Sequence, residues 1–161
     1  MKKFSFPRKS KNKIKQMKNK KKTILFVCIE NAARSQMAEG FFRKYAPKDY
    51  EPLSARTRPS GQINPLVIQV MKEIGIDINS KQKSKDITKD MMRNSASIVN
   101  MGCMDKSVCP TLFLHNGVID WNIEDPKGKP IEKVREVRDI IEQRVKELVS
   151  SISTPHKQIN F

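Results

Sequence analysis

Residues 23–42 read TILFVCIENAARSQMAEGFF, and the fold turns on this stretch. Its first five residues are apolar and mostly β-branched or aromatic, which is how a strand buried on both faces of a parallel sheet reads. From Ser35 to Tyr45 the pattern changes to helical spacing, with Met37, Ala38, Phe41, Phe42 and Tyr45 on one face and Pro47 beyond the end. Between strand and helix lies a short loop with a cysteine at one end and an arginine at the other, Cys28 and Arg34.

Working outward, Leu53 and its neighbours suggest a second strand, followed by a turn at 57–61. Asn64-Pro65 starts a helix, since Asn caps and Pro fits the first turn. Leu66, Val67, Val70, Met71 and Ile74 line its face, and Gly75 closes it. A short helix is predicted over 88–94, strands over 97–101 and 119–123, and a long amphipathic helix over 131–149. Met71, Met91, Met92 and Met101 are expected in the core. Strands alternating with helices give a three-layer α/β domain with a mostly parallel sheet.

The 161-residue chain carries a formal net charge of +15, unevenly spread. Residues 1–22 hold eleven Lys and Arg and no acid, and subtracting these from +15 leaves +4 for the rest. Three segments follow: a basic tail over 1–22, a folded domain over 23–150 and a frayed end over 151–161. Like-charge repulsion and scarce apolar surface predict that the tail is disordered. It is a solvated tail or a nonspecific contact for nucleic acid and other anionic surfaces. No stretch reads as a secretory signal or membrane span, and the expected location is the cytoplasm.

The loop carries the chemistry. Ligands of open α/β sheets bind beyond the carboxyl ends of the strands. A loop entering a helix there aims backbone N–H groups at one point, which favours an anion. Residues Ile29, Glu30, Asn31, Ala32, Ala33 and Arg34 would form that cradle, with the Arg34 fork suited to two oxygens of a tetrahedral oxyanion. The same field favours a thiolate at Cys28, a nucleophile held against the bound anion. Ser35 fits either a hydroxyl donating to that thiolate or a simple helix cap. Glu30 is discordant, because a carboxylate facing the ligand would repel it.

The other cysteines are Cys103 and Cys109. An odd number of cysteines argues against a disulfide framework. Six residues of helix rise about 9 Å, and a disulfide needs Cα atoms within about 7 Å. The two can therefore pair only if the segment between Gly102 and Pro110 is not an unbroken helix. On the residues alone, a redox pair and two unrelated thiols both remain open.

The loop with Arg34-Ser35-Gln36-Met37-Ala38-Glu39-Gly40 resembles the low-molecular-weight tyrosine phosphatase family, and more closely its branch of thioredoxin-coupled arsenate reductases. Ser60-Gly61-Gln62-Ile63-Asn64-Pro65, Met101-Gly102-Cys103, Cys109-Pro110 and Asp125-Pro126 match in the same order, so the resemblance covers roughly residues 22–149. It implies a four-stranded sheet with helices on both faces. It implies arsenate reduction through a covalent Cys28 adduct, then a Cys28–Cys103 disulfide, then a Cys103–Cys109 disulfide that thioredoxin reduces, with no bound organic cofactor. Asp125 would be the general acid, with Glu124 a second candidate. Some members bind potassium, and the matching positions are Asn31, Glu39, Ser54 and Asp86. Asn31 fits equally as a loop anchor and Glu39 as an exposed helix residue.

A phosphatase using Cys28 alone is the alternative reading. Phosphatases of the family usually carry an aromatic residue after Asp-Pro and a proline after Arg-Ser. Here Lys127 and Gln36 stand in those places, which favours a small inorganic oxyanion over phosphotyrosine.

Overall fold

The computed structural model describes residues 20–58, 61–101 and 117–154. Among the described residues eight elements follow one another: β1 (Lys22–Cys28), α1 (Arg34–Tyr45), β2 (Tyr50–Arg56), α2 (Pro65–Glu73), α3 (Lys89–Asn94), β3 (Ser95–Asn100), β4 (Val118–Asp120) and α4 (Ile131–Ser153). The strands form one parallel sheet in the order β2-β1-β3-β4. This is the expected α/β architecture, with all four strands parallel.

Strand β1 is central, and its five residues from Ile24 to Cys28 are buried. Alternation sends Ile24, Phe26 and Cys28 to one face and Leu25 and Val27 to the other. The first face carries the larger core. There Phe26 meets the rings of Phe42 and Trp121 at 5.8 and 5.9 Å, and α1, α2 and α4 supply Met37, Phe41, Val67, Met71, Val137 and Ile141. The opposite face is thinner: Leu25, Val27, Ala55 and Ile98, flanked by Met91 and Met92 of α3. Of the four methionines expected in the core, Met71 and Met101 are fully buried, whereas Met91 and Met92 are only half-buried.

Boundaries differ from the sequence reading at both ends. Lys22, placed in the tail by its charge, pairs with Tyr50 as the first residue of β1. Helix α4 runs to Ser153, beyond the expected end near 150. Apolar spacing thins after Val149, yet Ile152 still packs on the core, and no glycine or proline intervenes before Pro155. Among the described residues, no helix is long and apolar enough to cross a membrane.

The sheet order puts the connections from β1 and β3 on opposite sides of β1, so their carboxyl ends open a crevice. Cys28 ends β1, Met101 follows β3 with its N–H on the Val27 carbonyl at 3.0 Å, and Trp121 follows β4 with its N–H on Asn100 at 2.8 Å. Three strand ends thus meet at one edge.

Helix α1 reaches the α2–α3 connection at Gly40, where an added Cβ would lie 3.0 Å from Cγ2 of Ile78 and 3.3 Å from Ile76 and Met71 side chains. Gly40→Val is therefore expected to destabilise by about 1–3 kcal/mol through overpacking, measured as a lowered urea midpoint with an unchanged m-value.

Candidate active site

The segment Cys28 to Arg34 leaves β1 and enters α1 as a tight loop. Asn31 makes the turn with φ of 49°, a left-handed conformation that asparagine tolerates better than most residues. Its side chain is fully buried. Helix α1 begins at Arg34, and its N-cap, Ala33, makes no side-chain capping bond. The first N–H groups of the helix therefore point into the loop without a capping side chain, which suits an anion.

The thiol is held from two sides. The Asn31 backbone N–H donates to Cys28 Sγ at 3.1 Å, and Ser35 Oγ lies 2.8 Å from the same sulfur. The network behind the serine orients the asparagine that bonds to it. The backbone N–H of Lys85, which can only donate, reaches Asn31 Oδ1 at 3.0 Å. The other end of that carboxamide, Nδ2, therefore donates to Ser35 Oγ at 2.7 Å. With a lone pair so used, the serine hydroxyl has its proton for Cys28. Ser35 is not the helix cap, which is Ala33, and its hydroxyl stands where it would donate to a thiolate at Cys28.

A second line fixes the same asparagine. Arg43 donates to Gln82 Oε1 at 3.0 Å, Gln82 Nε2 donates to Gln36 Oε1 at 2.8 Å, and Gln36 Nε2 donates to Asn31 Oδ1 at 2.9 Å and to its carbonyl at 3.0 Å. Gln36 and Gln82 are both buried. Sequence reasoning noted Gln36 only as a departure and missed Gln82, which lies 46 residues away in the chain.

Arg34 is also buried. Its Nη1 donates to the carbonyls of Met101 at 3.2 Å and Ile123 at 2.7 Å, which aims the guanidinium across the strand ends. Its Nη2 lies 3.0 Å from Asp125 Oδ2. Cys28, Arg34 and Asp125 line one cavity of about 410 Å³, with Arg58, Gln62 and Asn64 from the α2 side. No hydrophobic periodicity marks these last three as pocket residues. Glu124 is not among the lining residues; it pairs with Lys129 and Lys133, and the Lys133 ammonium holds its carboxyl below the usual range.

Glu30 does line the cavity, and its charge is answered. Lys127, from the segment after Asp125, reaches Glu30 Oε1 at 2.5 Å, and this bond raises the ammonium's pKa. The pair links the loop after β1 to the segment that carries Asp125.

Residues 23–158 match the family of low molecular weight phosphotyrosine protein phosphatases. The chain belongs to this family. Within it, the chain is 39% identical over 131 residues to an arsenate reductase of Brevibacillus brevis, covering 81% of this chain and 96% of the relative. A solved structure of an arsenate reductase in its phosphate-binding state superposes with a TM-score of 0.73 at 33% identity, covering 82% of this chain and 99% of that one. A thioredoxin-dependent arsenate reductase of Corynebacterium glutamicum superposes with a TM-score of 0.70 at 32% identity, covering 86% and 65%. Against this family background, Glu30 and Lys127 are best understood together, as one neutralised pair at the pocket mouth.

The positions matched to a potassium site fall in two places. Ser54 is bonded to Glu39, Lys85 reaches both Glu39 and Asn31, and Glu39 is buried, not an exposed helix residue. Asp86 instead takes the Arg56 guanidinium at 2.6 Å and is largely exposed. Cys103 and Cys109 lie outside the described residues.

Loss of the serine hydroxyl should disarm the thiol. Ser35→Ala is expected to slow iodoacetamide alkylation of Cys28 at neutral pH about tenfold, the scale of one hydrogen bond to a charged group, read at Cys28 by peptide mass spectrometry.

Proposed function

We propose that the protein is an arsenate reductase drawing its electrons from thioredoxin. The observation that carries this reading is the Cys28 sulfur held by Ser35 and the Asn31 N–H beside the anchored Arg34 fork. The relatives named arsenate reductase, at about 40% identity, support it.

Arsenate binds with its oxygens on the loop N–H groups and Arg34. The Cys28 thiolate attacks arsenic, and one oxygen departs as water with a proton from Asp125, which stands beside Arg34 at the pocket lip. The Cys103 thiolate then attacks the Cys28 sulfur. A Cys28–Cys103 disulfide forms, the sulfur–arsenic bond breaks, and its electron pair stays on arsenic, which leaves as arsenite. Cys109 attacks Cys103 and returns Cys28 as a thiolate. The resulting Cys103–Cys109 disulfide is reduced by the thioredoxin dithiol. The steps through Cys103 and Cys109 rest on their positions in the sequence after β3.

The pocket mouth favours a small inorganic anion. Lys127 and Glu30 cross it where an aromatic residue would grip an aryl ester. A phosphatase acting through Cys28 alone is the second reading, favoured by the family's name and by the completeness of the nucleophile, arginine and acid set without the other cysteines.

The deciding experiment supplies reduced protein with arsenate, thioredoxin, thioredoxin reductase and NADPH. NADPH loss is expected that needs arsenate and thioredoxin and disappears in Cys103→Ser, while Cys28 of that variant stays open to alkylation. Hydrolysis of a phosphate ester that is indifferent to Cys103→Ser, with no arsenate-dependent NADPH loss, would make the protein a phosphatase.

The neutralised pair gives a second outcome. Lys127→Ala, which uncovers the Glu30 charge, should raise the inhibition constant of phosphate roughly two- to fivefold, the scale of an exposed charge pair. Adding Glu30→Gln should return it to the starting value.

A further inference from the structure

The place beneath the loop, where the family resemblance puts a potassium ion, has a positive charge of its own. We propose that the Lys85 ammonium is a built-in counter-cation, so that this chain braces its anion loop without binding potassium. The inference is independent of which reaction the Cys28 site performs.

The oxygens that would serve a hard cation are engaged. Asn31 Oδ1 accepts from Gln36 Nε2 at 2.9 Å and from the Lys85 N–H at 3.0 Å. Glu39 Oε1 accepts from Arg43 at 2.8 Å, and Oε2 accepts from the Ser54 hydroxyl. Asp86 has turned to Arg56. Into this group comes the Lys85 ammonium. It donates to the carbonyls of Ser54 at 3.0 Å and Lys83 at 3.1 Å, and lies 3.7 Å from Glu39 Oε2. Backbone carbonyls and a carboxylate are hard oxygen ligands, and here they face a nitrogen cation of similar size to potassium.

Charge balance points the same way. Glu39 is a buried carboxylate with two cations, Arg43 and Lys85, against it. A further monovalent ion would add to a local positive surplus, and like charges at such distances repel. Lysine suits the place better than arginine would, because its ammonium is a compact point charge with three donors. Lys85 also contributes twice: its backbone N–H fixes Asn31, and its side chain neutralises Glu39. The brace and the loop anchor are one residue, and no solute has to be captured.

The test is thermal unfolding in KCl and in choline chloride at equal ionic strength. The unaltered protein is expected to melt at the same temperature in both, within about 1 °C. A potassium-specific rise of about 3 °C or more would overturn the proposal, since an ion bound to the folded state raises Tm by mass action. Lys85→Gln keeps the backbone N–H and removes the charge. It is expected to melt about 2–4 °C lower in choline chloride and to recover part of that loss in KCl. A Lys85→Gln protein that melts like the unaltered one in choline chloride would also overturn it. Should that variant fail to fold, the comparison of salts on the unaltered protein decides. Alkylation of Cys28 in the unaltered protein should proceed at the same rate in both salts.

Discussion

The site depends on one buried carboxamide. Asn31 sits with positive φ inside the loop, and its two polar ends have opposite duties. A backbone N–H from Lys85 makes one end the acceptor, so the other end donates to Ser35, and the Ser35 hydroxyl keeps its proton available for a thiolate at Cys28. The orientation of the carboxamide beside Ser35 and Cys28 is thereby set by a peptide group 54 residues away in the chain. In a low-dielectric interior such a chain of bonds holds its members in place, and flipping the Asn31 carboxamide would set its Nδ2 against the Lys85 N–H. The Gln82–Gln36 pair, oriented by Arg43, ends on the same Asn31 oxygen and reinforces the same direction.

The sheet supplies the second constraint. Because β1 is central and its neighbours depart to either side, Cys28, Met101 and Ile123 come within reach of one guanidinium. Arg34 is fixed by carbonyls belonging to the ends of β3 and the segment after β4, so its aim depends on the register of three strands. Asp125 then completes the edge from a loop whose approach is set by Trp121 packing on Phe26. Pairing of Lys129 and Lys133 with Glu124 ties that loop to the start of α4. Cys28, Arg34 and Asp125 are thus each held by a different part of the fold.

What was legible in the sequence was local. The apolar run of β1 cannot be mistaken, since both its faces are buried, and the change to helical spacing after Arg34 placed the loop between them. Cys28, Arg34 and Ser35 were readable because strand, loop and helix are contiguous. Gln82 and Lys85 were not readable: they act across long separations from a segment without periodicity. Asp86 was taken for the cation cluster from its place in the sequence, but a parallel bridge to Arg56 turns it outward, and its neighbour Lys85 goes in. Element ends were also hard to place. Lys22 looked like tail by composition, and only its pairing with Tyr50, where its ammonium lies over the ring, brings it into the sheet.

The uneven covering of the sheet has a consequence for how the protein would come apart. The broad core lies under α1, α2 and α4, whereas among the described residues the helix on the other face is the short α3, none of whose residues is fully buried. The segment leading into α3 contains Gln82 and Lys85. Local opening draws on regions with little buried apolar surface and costs less than global unfolding. A fluctuation that lifts residues 79–94 would release Asn31 and Gln36 together while the larger core stayed packed. The molecule would then keep its larger core and lose the bonds that hold Cys28, so the resting reactivity of Cys28 is a gauge of how often residues 79–94 open.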